Sequence, residues 1–102
     1  MEIKAATPDE FLDFVDQAIF ENDEMLESME FDEINDYEPF IPVYEQLAHA
    51  LRQLLDEVKA GKHEFGDGSN LPFMELVERN KRMIPYADLL EAINRLHRQG
   101  LG

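Results

Sequence analysis

A chain of 102 residues has room for one domain with a modest core, and its apolar content of 44% is that of a globular protein rather than a disordered one. The absence of cysteine excludes disulfides, thiolate nucleophiles and cysteine-ligated zinc or iron–sulfur sites. The net charge of −14 is lopsided: residues 1–45 carry fifteen acids against the single base Lys4, whereas residues 46–102 carry eight of each sign. Such a surface disfavours nucleic acid and anionic membrane, and attracts a basic protein, a polyamine or metal ions.

The N-terminal stretch MEIKAATPDEF has no basic region followed by an apolar run, and no segment approaches the roughly 18 to 20 apolar residues needed to cross a bilayer. The expectation is a cytoplasmic protein forming one helical domain over residues 1–102. Thr7-Pro8-Asp9-Glu10 reads as a helix start, with Thr7 as N-cap, Pro8 in the first turn and Glu10 completing a capping box. Phe11, Phe14, Val15, Ala18, Met25 and Met29 then share one face of a helix predicted over about 8–30. Asn22 interrupts that apolar face, so a break near it is one alternative.

The segment FDEINDYEPFIP, 31–42, has no sustained period and two prolines, which makes it a connection. A second helix is predicted over about 42–60, with Val43, Leu47, Leu51, Leu54 and Val58 inward, an Arg52–Asp56 pair outward, and Gly61 just past its end. GKHEFGDGSN is a loop from which Ser69 or Asn70 is placed to cap a third helix, about 72–82. Ile84-Pro85 separates that helix from a fourth, about 85–99, with Tyr86, Leu89, Leu90, Ile93 and Leu96 on one face. Four amphipathic helices and no sustained alternation predict an all-α fold, a compact bundle.

Residues 21–38, ENDEMLESMEFDEINDYE, hold nine carboxylates and no base. Glu21, Glu24, Glu27, Glu30 and Glu33 recur every third residue, but such a row drifts about 60° per step around a helix and cannot form one focused site. Glu24 and Glu27 are the best local candidates for a shared hard cation, and weak ones. Paired carboxylates at Glu24/Glu27, Glu75/Glu78 and Asp88/Glu91 have the spacing used by all-α nucleotide pyrophosphohydrolases, which makes a Mg- or Mn-dependent enzyme of that kind the alternative function. The last two pairs lie opposite their apolar stripes, in water rather than in the sheltered site such chemistry needs, and the likeness stops at the spacing.

Other chemistry lacks support. Gly61 and Gly66 are spaced as in a phosphate loop, yet Asp67 stands where its lysine belongs. No serine or threonine pairs with histidine and acid in a nucleophile motif. His49 falls on a wet face, His63 in a loop, and His97 in a last turn where it reads as a helix-end cation. No catalytic residue and no cofactor is expected. What remains is a non-catalytic interaction module that docks a basic protein through its acidic N-terminal half. If the first helix is continuous, Phe20 falls amid Asp13, Asp16, Asp23 and Glu27; with Glu30, Phe31 and Tyr37 these are the candidate partner-binding residues. Helices this amphipathic also make a homodimer possible.

Overall fold

The computed structural model describes residues 3–31 and 39–101, and for Glu30 and Phe31 the backbone alone. Among these residues are four α-helices and no strand: α1 (Pro8–Phe31), α2 (Ile41–Lys59), α3 (Met74–Arg79) and α4 (Ala87–Gln99), with a 3-10 turn at Lys81–Met83. α1 packs chiefly on α2 and also on α4, and α3 packs on α4. Phe11, Val15, Tyr44, Leu47, Leu51, Val77, Leu90 and Ile93 are fully enclosed, so one core joins all four helices. None of the helices is long and apolar enough to cross a membrane.

The start of α1 follows the sequence closely. The Glu10 amide donates to Thr7 Oγ1 at 3.2 Å, and the Phe11 amide donates to the Thr7 carbonyl at 3.1 Å. The C-terminus of α2 closes as a Schellman motif: the Lys62 amide donates to the Glu57 carbonyl and the Gly61 amide to the Val58 carbonyl, both at 3.0 Å. Gly61 has φ of +71°, an angle at which a side chain would be strained.

α1 does not break at Asn22. That side chain is 0% exposed in the middle of the apolar face, and it is satisfied from two other elements. Its Nδ2 donates to the Tyr44 carbonyl at 2.9 Å, and its Oδ1 accepts from the Tyr86 hydroxyl. A bonded polar group costs little inside a core, so the helix runs on through it. Burial, with Tyr44 and the acids Glu21 and Asp23 nearby, pushes the Tyr86 phenol upward and keeps it a donor.

Three other expectations are corrected. α3 is shorter than predicted because Asn80 Nδ2 donates to the Leu76 carbonyl at 2.9 Å, taking the acceptor that a continuing helix would give to the Asn80 amide. Neither Ser69 nor Asn70 caps α3: Phe73 holds that position, while Asn70 Oδ1 accepts from Asn94. Arg52 reaches across to Asp23 on α1 at 2.8 Å instead of pairing with Asp56. Ile84 is extended before Pro85, as the proline requires, and α4 starts only at Ala87.

Replacing Asn22 by Leu leaves the Tyr86 hydroxyl and the Tyr44 carbonyl without this partner. The expected destabilisation is about 2–3 kcal/mol, read from urea midpoints at unchanged slope. Combined with Tyr86→Phe, the loss should fall short of the sum of the single losses, because both changes remove the same bond.

Candidate functional site

Two regions stand apart from ordinary packing. The first is the outward face of α1. Because the helix is continuous, Asp13, Asp16, Asp23, Glu24 and Glu27 all lie within about 60° of Phe20 on a wheel of 100° per residue. Phe20 is 62% exposed, and Met83 is the other large apolar side chain left exposed among the described residues. Asp13, Asp16, Glu24 and Glu27 are exposed, and Asp23 is partly covered through its pair with Arg52. Glu30 and Phe31 continue α1, but their side chains, like all of Tyr37, lie outside the described residues. Glu24 and Glu27 face open solvent, and among the described residues no group of three or more His, Asp or Glu could hold a metal ion.

The second region escaped the sequence reading. His63 Nε2 and His97 Nδ1 are 2.8 Å apart, and both side chains are largely buried, at 8% and 6% exposure. The His63 ring stacks on Phe11 with centroids 6.2 Å apart, and Phe65 meets both Phe11 and His63 edge-on at 4.9 and 4.8 Å. The outer nitrogens face carboxylates: His63 Nδ1 lies 3.6 Å from Glu57 Oε2, and His97 Nε2 lies 3.6 Å from Asp67 Oδ1. The loop is fastened over the pair by the Gly66 amide, which donates to the His97 carbonyl at 2.7 Å, and by Arg98 Nε, which donates to the Gly68 carbonyl at 3.1 Å.

His97 is therefore not a helix-end cation. Burial first, then the neighbouring His63 ring, holds it below the ordinary histidine value of 6.5; Asp67 and a hydrogen bond to the Ser69 backbone act in the opposite sense. Asp67 is itself held below the usual carboxylate range, chiefly by the amide and hydroxyl of Ser69, which donate to it at 2.9 and 2.8 Å. A signal for His97 was present in the sequence: it sits four residues after Ile93 and seven after Leu90, on the buried face of α4. Nothing local pairs it with His63, which is thirty-four residues away and in a loop.

A concavity of about 260 Å³ opens beside the pair, with Leu54, Leu71 and Phe73 as apolar walls and Glu57 at its rim. Comparison with protein-family models, with curated proteins and with solved structures gave no match to this chain.

The depressed His97 value fixes the sign of a pH effect. Below about pH 6.5 the unfolded chain takes up a proton that the folded ring resists, so this stability is complete above 6.5 and is lost as pH falls toward the folded value. The slope is at most about 1.4 kcal/mol per pH unit. Urea unfolding between pH 7.5 and 5 should show the wild type losing ground to His97→Gln; parallel pH profiles would rule the effect out.

Proposed function

We propose that the chain is a non-catalytic interaction module that docks a basic protein surface on the outward face of α1. The observation that carries this reading is the exposure of Phe20 among carboxylates. An aromatic ring in water forgoes about 2 kcal/mol of burial, and a site where that apolar area is ringed by one sign of charge suits a partner that brings both an apolar pocket and cations. The charge would steer the encounter from a distance, and Phe20 would supply short-range affinity once water is expelled. Asp13, Asp16, Glu24 and Glu27 form the charged rim. Asp23 contributes less, because Arg52 already partly neutralises it. A second copy of this chain is a poorer occupant, since two surfaces of net charge −14 repel one another.

The test uses the intact chain, Phe20→Ala and Asp13→Asn/Asp16→Asn as baits for affinity capture at low and moderate salt. A partner of this face should be a basic protein retained at low salt, released by salt, and reduced at least ten-fold by either variant. Phe20→Ala should keep the wild-type melting temperature, since Phe20 leaves little behind in the core. Capture insensitive to both variants would sink the proposal, and light scattering of the same samples would expose self-association.

The same field makes a prediction for the free protein. About a dozen unbalanced charges repel one another across a screening length of about 10 Å at 0.1 M salt. Raising sodium chloride from low to moderate concentration should therefore increase the melting temperature, and an unchanged value would argue that the acids are neutralised within the fold.

A further inference from the structure

A cation already sits at the edge of the acidic face of α1. Arg52 Nη2 donates to Asp23 Oδ2 at 2.8 Å, and the two side chains are 56% and 47% exposed, so the pair stands in water and contributes little to the fold. Asp23 follows Phe20 by three residues and precedes Glu27 by four, which makes it a surface neighbour of both. The Arg52 guanidinium therefore occupies a carboxylate that a basic partner of this face would use. It also meets that partner's cations with a like charge.

Arg52 has a second carboxylate within reach. Asp56 follows it by four residues on α2, one helical turn away, and is exposed with no ion pair among the described residues. Both residues ride on one helix, so moving from Asp23 to Asp56 takes a rotation of the Arg52 side chain and no shift of the backbone. Exposed ion pairs contribute little whether they join two helices or two turns of one helix. The two arrangements therefore lie close in free energy, and a ligand that binds one of them better decides between them.

We propose that Arg52 is a two-position gate on the docking face: paired with Asp23 it closes a cation subsite beside Phe20, and a basic partner opens that subsite by displacing Arg52 onto Asp56. This rests on the docking function proposed above and specifies the chemistry of the partner. A guanidinium is what the structure seats on Asp23, so the partner brings an arginine there, immediately beside the apolar pocket that receives Phe20. The exchange leaves every charge satisfied: the partner's arginine holds Asp23 while Arg52 holds Asp56. Without Asp56, the displaced Arg52 would stay at the edge of the interface as an unpaired like charge.

The probe is an acetylated hexapeptide amide alternating leucine and arginine, titrated at low salt into the full chain labelled with carbon-13 and nitrogen-15. The same peptide with citrulline for arginine keeps the shape without the charge. The arginine peptide should shift amides of 13–27 and bind at least ten-fold more tightly than the citrulline peptide. At saturation it should also move the Asp56 carboxyl carbon, which in Arg52→Gln should stay still. Arg52→Gln should bind the peptide at least three-fold more tightly than the wild type. Arg82→Gln removes the same charge from the 3-10 turn and should change binding much less. Asp56→Asn should weaken binding about two-fold when Arg52 is present and not at all in the Arg52→Gln background, a coupling that a general charge effect does not produce. Arg52, Asp56 and Arg82 are all exposed, so these variants should melt with the wild type. Equal gains from Arg52→Gln and Arg82→Gln, or an Asp56 carbon unmoved at saturation, would overturn the gate and leave the docking face in place. Binding unchanged by Phe20→Ala would overturn the docking reading, and the gate with it.

Discussion

The architecture depends on one buried amide. Asn22 lies where α1 would otherwise present a hydrocarbon to the core, and its two ends are claimed by different elements: the Tyr44 carbonyl near the start of α2 and the Tyr86 hydroxyl just before α4. An apolar side chain at this point would tolerate sliding of α1 along its partners. An amide with a fixed donor and a fixed acceptor does not, because any slip leaves buried polar groups unpaired at about 1–3 kcal/mol each. The network continues, since the Tyr44 hydroxyl donates to the Met83 carbonyl and holds the 3-10 turn against α2. Three segments distant in sequence are thus set in register by polar bonds as well as by hydrophobic area.

That register also decides what the surface is. Asn22 and Phe20 are about 200° apart on a helix, so fixing the first inward commits the second to solvent. The carboxylates around Phe20 follow by the same geometry. Had α1 broken at Asn22, Phe20 would have been free to turn inward and the acids would have been spread over two short segments. The lopsided charge of the sequence becomes a coherent face because α1 runs unbroken through Asn22.

The sequence foretold the parts of this fold that depend on neighbours along the chain. Apolar spacing located four helices, Thr7 and Gly61 marked their helix ends, and Ile84-Pro85 marked a boundary. What it could not foretell were partnerships across the fold. Arg52 has Asp56 one turn away, and only the packing of α2 on α1 reveals Asp23 as the nearer acid. Asn80 looks like any residue of a helix interior until its side chain is seen to take the Leu76 carbonyl. For the acidic face, the sequence supplied the right residues on condition of a continuous helix, and the condition rested on Tyr44 and Tyr86, which lie 22 and 64 residues away from Asn22. His97 differs from the helix-end cation its position suggests because the spacing from Leu90 and Ile93 puts it on the buried face of α4, where burial outweighs the pull of the helix dipole on a charge.

The buried polar side chains share a logic. Asn22 ties α1 to α2 and to the start of α4. Asn94 accepts from the Leu71 amide at 2.8 Å and donates to Asn70, fixing the chain as it enters α3. His97 bonds His63, and its carbonyl takes the Gly66 amide, fixing the glycine-rich loop. Each clasps a segment that a core of this size has too little apolar area to hold alone. Among the described residues no buried side-chain nitrogen or oxygen lacks a partner.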